Sequence, residues 1–102
     1  MTTLLKKKLH GSDWQIGETA DFLQLSAEES ALIDIRLSLA QAAKQSRVQH
    51  DLSQTELAKR MKSSQSRIAK IEAADPSVSI DLMVRALLAS GAVRADVARA
   101  LR

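Results

Sequence analysis

The chain has no cysteine, a single proline, three glycines and only two aromatic residues among its 102 residues. The lack of cysteine excludes disulfide bonds and thiolate metal sites, and it fits a reducing cytoplasm. With so few aromatic residues, the core must be built from Leu, Ile, Val, Met and Ala side chains. This length and composition predict one small all-α domain, which leaves little room for an enzyme cleft.

Sequence motifs for catalysis and cofactor binding are also missing. His10 and His50 have no histidine or carboxylate at metal-ligand spacing, and the chain contains no phosphate-binding glycine loop and no nucleophile elbow. No apolar run is long enough for a signal peptide or a membrane span. We therefore expect a cytoplasmic protein that is not an enzyme, holds no metal or cofactor and does not bind membranes.

The positive charge is concentrated in one part of the chain. Residues 44–72 contain seven lysines and arginines against three acidic residues, a net charge of +4, whereas the whole chain carries +3. Such a basic surface is typical of polyanion-binding proteins, although the solvated face of an ordinary helix gives similar counts. The separate cluster Lys6, Lys7 and Lys8 has two interpretations: a solvated tail, or an arm that follows the DNA backbone or minor groove.

The pattern of helical signals divides the chain into an N-terminal arm, residues 1–25, and a helical domain, residues 26–102. Residues 18–25 predict a short helix within the arm. Ser26 and Glu29 form a capping box, in which each side chain accepts a hydrogen bond from the other residue's amide. A long helix should therefore begin here and run to about His50.

The apolar residues of this long helix form two adjacent lines at helical spacing. One line contains Leu32, Ile35, Leu39 and Ala43, and the other contains Ile33, Leu37 and Ala40. This stripe is wider than packing against one neighbour requires. It has two explanations, burial under the arm or contact with a second subunit or another partner.

A second capping box, Ser53 with Glu56, predicts a short helix that ends at the polar turn 62–64. Ser64 should then cap a helix over residues 65–72. The side chains expected to face inward from these two helices are Leu57, Ala58, Met61, Ile68 and Ile71.

Two more helices are predicted in the C-terminal part of the chain. Ser79 should cap a fourth helix that ends just before Gly91. Residues 92–102 suggest a last short helix whose apolar residues are Val93, Val97, Ala100 and Leu101.

The helices on either side of the turn 62–64 form a helix-turn-helix, and the second presents polar side chains near its N-terminus. Gln, Ser, Arg and Lys side chains on such a helix can reach base edges in the major groove of DNA. The residues predicted to read bases are Gln65, Ser66, Arg67 and Lys70. The residues predicted to bind backbone phosphates are Ser53, Gln54, Lys59, Lys62 and Ser64.

The sequence L-S-Q-T-E-L-A-K-R-M, residues 52–61, followed by S-S-Q-S-R-I-A-K-I-E, residues 63–72, resembles the Cro/C1-type (XRE-family) helix-turn-helix. The resemblance spans roughly residues 36–91. It implies a lambda repressor-like bundle of about five helices with an N-terminal extension. It also implies an ion pair between Arg47 and Glu72. If the pair is buried, removing one partner should lower the stability by about 3–5 kcal/mol. If the pair lies at the surface, it should contribute about 0–1 kcal/mol.

The sequence departs from this family at two places. Lys62 occupies a turn position where the family often has glycine, and a left-handed backbone would strain a lysine there. We therefore expect a slightly altered turn. The second departure is the N-terminal extension, roughly residues 1–30, whose arrangement is similar to small antitoxins of the HigA type, encoded beside a RelE-like toxin.

These observations predict a homodimeric, sequence-specific DNA-binding regulator, a repressor associated with the nucleoid. Its two recognition helices, residues 64–72, would enter successive major grooves of double-stranded DNA about 34 Å apart on a pseudo-palindromic operator. One alternative is an antitoxin that also binds a toxin protein and represses its own gene. Another is a protein-interaction adaptor that reads no bases. The long helix 26–50 and the last helix are both candidates for the dimer contact.

Overall fold

The computed structural model describes residues 25–102, and every regular element in that range is an α-helix. The helices are α1 (Ala27–Gln49), α2 (Gln54–Arg60), α3 (Gln65–Glu72), α4 (Ile80–Ala89) and α5 (Arg94–Ala100). The predicted all-α bundle of about five helices is thus confirmed. The lysine cluster 6–8 and most of the short helix predicted over residues 18–25 lie outside the described residues.

The chain consists of two compact units, Met1–Ile35 and Arg36–Arg102. The boundary falls inside α1 and differs in position from the boundary predicted between residues 25 and 26, which stays a prediction. The second unit contains the C-terminal part of α1 and all of α2 to α5.

Serine side chains begin the first four helices, as the sequence predicted. In the capping box of α1, Ser26 N donates to Glu29 Oε1 at 2.8 Å and Glu29 N donates to Ser26 Oγ at 3.0 Å. Ser53 and Glu56 form the same pair of bonds at α2. The hydroxyl groups of Ser64 and Ser79 each accept one amide hydrogen bond at the starts of α3 and α4. These bonds satisfy amides that have no carbonyl partner inside a helix.

The first four helices end in the same way, with one residue in the left-handed conformation. These residues are Asp51, Lys62, Ala74 and Gly91, with φ of 56°, 55°, 56° and 117°. In each case the next amide bonds back to a carbonyl in the last helical turn, for example Ser63 N to Ala58 O at 2.8 Å and Asp75 N to Lys70 O at 3.0 Å. Only one of the four positions has glycine, which adopts this conformation without steric cost.

The core of the second unit is aliphatic. Its largest fully buried apolar side chains come from α1 to α4: Leu39, Leu57, Ile68, Ile71, Met83 and Leu87. Leu57, Ala58, Ile68 and Ile71 are therefore buried as predicted. Met61, which was also expected to face inward, is half-buried at the C-cap of α2 and packs against this core.

Several apolar residues of the predicted helix faces are exposed. In α1, Leu39, Ala40 and Ala43 are buried, whereas Leu32, Ile33, Ile35 and Leu37 are exposed. At α5, Val93 and Leu101 are exposed, and Val97 and Ala100 are half-buried. Helical spacing determines which side chains share a face, but a neighbouring element must cover that face before it is buried.

The left-handed helix ends predict the effect of a glycine substitution. Ala74→Gly is expected to raise the free energy of unfolding by roughly 0.5–1 kcal/mol, because glycine removes the Cβ clash at φ 56°. Ala73→Gly is the matched control, since Ala73 has a negative φ of −89° and no Cβ clash of this kind. It should lower the stability by roughly 0.5–1 kcal/mol. Urea unfolding measures both, and equal losses in the two variants would contradict strain at Ala74.

Candidate nucleic-acid interface

Helix α3 separates its apolar and polar side chains onto different sides. Ile68 and Ile71 are fully buried, whereas all four predicted base-reading residues are exposed: Gln65, Ser66, Arg67 and Lys70. The buried isoleucines fix the helix against the core, so its polar side is presented to solvent. Donors and acceptors on a rigid exposed helix are what base-edge recognition requires.

Two glutamines connect the starts of α2 and α3. Gln65 Nε2 donates to Gln54 Oε1 at 2.6 Å, and Gln54 Nε2 donates to Glu72 Oε1 at 3.0 Å. This bond fixes the side-chain amide of Gln65. The side-chain oxygen Oε1 of Gln65 accepts no hydrogen bond from residues 25–102. An amide with an open carbonyl and a second N–H can pair with the N6 and N7 atoms of adenine.

The chain of glutamines ends at a buried ion pair. Arg47 Nε donates to Glu72 Oε2 at 2.6 Å and Arg47 Nη2 donates to Glu72 Oε1 at 3.1 Å. The side chains are only 12% and 4% exposed. Arg47 Nη1 also donates to Leu52 O at 2.8 Å. One guanidinium thus binds the end of α3 and the turn between α1 and α2.

The residues predicted to bind phosphate differ in how many hydrogen bonds and ion pairs they already form within the protein. The Ser53 and Ser64 hydroxyls accept capping bonds but keep a hydrogen that can be donated, and Ser64 Oγ lies 3.2 Å from Ser66 Oγ. Gln54 is already held by Gln65 and Glu72, as described above. Lys59 and Lys62 are exposed and form no ion pair within residues 25–102.

The negative charge at the start of α2 belongs to Glu56, whose carboxylate is hydrogen-bonded in the capping box. The amide of Ser53, followed by its hydroxyl, lowers the pKa of Glu56 by hydrogen bonding to the carboxylate. Glu56 is therefore ionised at neutral pH and occupied in the cap, next to the basic residues Lys59 and Arg60.

Lys62 is in the left-handed conformation, with φ of 55°, and Ser63 N bonds to Ala58 O across it. The expected altered turn is not found, because the backbone keeps the conformation that would suit glycine. The hydrogen bond to Ala58 holds this geometry against the strain of a side chain at positive φ.

The loop between α3 and α4 lies beside the predicted base-reading residues, which the sequence analysis did not indicate. A cavity of about 360 Å³ brings the loop residues Ser77 and Val78 together with Ser66, Arg67 and Lys70 of α3. Arg36 Nη2 donates to Asp75 O at 2.9 Å and also to Val78 O. No sequence signal identifies Arg36, since its partners lie about forty residues away along the chain.

The same loop has one local signal that could have been read from the sequence. The Asp75 carboxylate accepts from Ser77 Oγ at 2.7 Å and from Ser77 N at 2.9 Å. These two bonds, the hydroxyl first, lower the pKa of Asp75. An aspartate that bonds the chain two residues ahead is a common turn signal, and here it lies three residues after the last residue of α3.

Residues 25–102 offer neither a metal site nor a membrane-spanning helix. This range contains no group of three or more His, Asp or Glu side chains able to hold a metal ion. It also contains no helix with the length and apolar character to cross a membrane.

Comparison with known proteins finds a family match for the central part of the chain. Residues 44–89 match the helix-turn-helix family, from the C-terminal part of α1 through the last residue of α4. This is a family of DNA-binding domains and not of enzymes, so the match supports a DNA-binding regulator in general. Comparisons with curated proteins and with solved structures gave no match.

The buried ion pair leads to a stability prediction. Glu72→Ala should lower the free energy of unfolding by about 3–5 kcal/mol, because it leaves the Arg47 guanidinium buried without its carboxylate. Urea unfolding measures this loss. The control is the double variant Arg47→Met/Glu72→Leu, which should lose less than the two single variants summed. A loss below about 1 kcal/mol for Glu72→Ala would indicate a pair of surface strength.

Proposed function

We propose that this chain, whose residues 44–89 form a Cro/C1-type (XRE-family) helix-turn-helix, is a sequence-specific transcriptional repressor. It binds double-stranded DNA as a homodimer and reads a pseudo-palindromic operator. The reading element is α3 with its N-cap, residues 64–72.

The observation that carries this proposal is the exposed polar side of α3. Gln65, Ser66, Arg67 and Lys70 all reach solvent from a helix that its two isoleucines anchor in the core. Gln65 is additionally oriented by its 2.6 Å bond to Gln54. A side chain that is already ordered loses less conformational entropy when it pairs with a base.

The positions of the residues predicted to bind phosphate support the same orientation on DNA. The amino end of α2, with Ser53 and Gln54, and the exposed lysines Lys59 and Lys62 flank the turn that leads into α3. Contacts from this region to the backbone would set the depth and register of α3 in the major groove. They carry no base preference of their own.

A homodimer follows from the operator symmetry that such a regulator uses, since a two-fold DNA site is matched by a two-fold protein. Among residues 25–102, two exposed apolar surfaces lie on the helices that are candidates for the contact between subunits. The first is on α1, where Leu32, Ile33 and Ile35 are exposed, and the second is at α5, with Val93 and Leu101. Both remain candidates for the contact.

The antitoxin alternative is favoured by one specific observation, the exposed apolar residues of α1. An apolar helix side of this kind is suited to a protein partner, such as a RelE-like toxin, as well as to a second subunit. In this alternative the chain inhibits the toxin and represses its own gene. The purely protein-binding adaptor has less support, because it gives no role to the polar residues of α3.

Base reading predicts a specific pattern of binding losses. Gln65→Ala and Arg67→Ala should each weaken binding to the operator by about 1–3 kcal/mol and relax the preference at one base pair. Fluorescence anisotropy on the chain's own upstream DNA and on scrambled DNA measures the effect. Lys59→Ala is the control and should weaken both DNAs alike. Equal losses on both DNAs for Gln65→Ala would show that α3 does not read bases.

The dimer contact is tested by charge insertion on each apolar surface. Ile33→Lys and Val93→Lys are matched changes at residues that are 44% and 60% exposed, so neither should disturb folding. Sedimentation velocity should show dissociation in one of them, because burying an unpaired lysine opposes association. If both variants and the native chain sediment as monomers on and off DNA, the homodimer is wrong. A toxin-like product of the adjacent reading frame that binds only the native α1 surface would instead support the antitoxin.

A further inference from the structure

A basic cleft lies between the α2–α3 turn and helix α4. Its lining includes Lys62, Ser63 and Ser64 from the turn, Arg67 from α3, and Leu82 and Arg85 from α4. The cleft has a volume of about 400 Å³. Arg85 is outside the residues that the sequence predicted to bind DNA.

Three cations face this cleft without any counter-charge. No acidic residue from the described part of the chain lines it. Within residues 25–102, Lys62, Arg67 and Arg85 have no ion pair, and none of their side chains donates a hydrogen bond. By contrast, the arginines that stabilise the fold are bonded: Arg36 to two loop carbonyls, Arg47 to Glu72, and Arg60 to Ala89 O at 3.1 Å.

Cations that converge on one space repel each other, and a bound anion relieves this repulsion. The three side chains therefore have both free donors and an electrostatic reason to bind an anion. The amino end of α3 adds to the effect, because Ser64 caps that helix at the edge of the cleft and helix N-termini carry partial positive charge.

The strain at Lys62 is an independent observation. Its φ of 55° is a conformation in which glycine would be free of the Cβ clash, yet the chain has a long cationic side chain there. A residue that keeps a strained backbone conformation is a reason to look for a functional role of its side chain. In this structure that side chain lines the cleft with Arg67 and Arg85.

We propose that the basic cleft binds a phosphate group of the DNA backbone, with Arg85 of α4 as its key ligand beside Lys62. The inference rests on the proposed DNA-binding function and extends the interface beyond α2 and α3 to α4. Arginine suits this role because its planar guanidinium can donate two parallel hydrogen bonds to phosphate oxygens. The ligand chemistry is a phosphate group, and the sources to distinguish are a DNA phosphodiester and a free phosphate or nucleotide.

The first test is the salt dependence of DNA binding by Arg85→Gln. Losing one phosphate contact should reduce the slope of log K against log salt by about 0.9 and weaken operator and scrambled DNA by the same factor. Arg94→Gln is the matched control, because Arg94 is also exposed but is the first residue of α5, away from the cleft lining. It should leave the slope unchanged.

Lys62→Gly provides a second test with opposite effects on folding and binding. Glycine removes both the strained Cβ and the charge, so the variant should unfold at a higher urea concentration and yet bind both DNAs more weakly. A role confined to folding predicts no loss of DNA affinity. Thermal unfolding of Arg85→Gln, expected to match the native chain, shows that any binding loss does not come from misfolding.

The outcomes separate this proposal from the proposed function. If the native chain binds neither DNA, the proposed function fails. If DNA binding is intact but Arg85→Gln behaves like Arg94→Gln, only the cleft proposal fails. NMR titrations with inorganic phosphate and with AMP identify the other source: millimolar binding at Arg85, together with an unchanged DNA salt slope, would assign the cleft to a free phosphate ligand and overturn the DNA contact.

Discussion

The buried pair of Arg47 and Glu72 is the interaction that connects the end of α1 to α3 and to the start of α2. The arginine lies in the last turn of α1, and it binds the final residue of α3 and the carbonyl of Leu52 before α2. Gln54 extends the same network from the carboxylate to Gln65. The position of a candidate base-reading side chain is thus linked through hydrogen bonds to the orientation of three helices.

A second constraint is the short length of the two helices that carry the candidate interface. Helices α2 and α3 have seven and eight residues, too short to be stable alone in water. They begin with serine caps and end in left-handed residues, so their terminal amides and carbonyls are satisfied within a few residues. Lys62 and Ala74 adopt a strained left-handed conformation at these ends. The resulting connections are short, and the exposed side of α3 lies next to α4.

The basic side chains fall into two groups, those bonded within the fold and those exposed without a counter-ion. Arginines that carry structure, such as Arg36 and Arg47, are part-buried and bonded to carbonyls or a carboxylate. Lysines and arginines around the α2–α3 turn are exposed and have no counter-ion within the described residues. The free energy of such unpaired cations is lowered by a polyanion, which is the electrostatic basis of the proposed DNA contact.

The sequence by itself determined the helices of residues 25–102 and the match of residues 44–89 to the helix-turn-helix family. Serine caps with glutamate partners, helical spacing of Leu57, Ile68 and Ile71, and the polar positions of α3 are local signals, because capping and amphipathicity act within a few residues. The tertiary structure alone decided which apolar faces are covered, so that Leu39 is buried while Leu32 is exposed. It also decided the contacts of Arg36 and the approach of Arg85 to Lys62, because packing of distant segments brings such groups together and leaves no periodic trace in the chain.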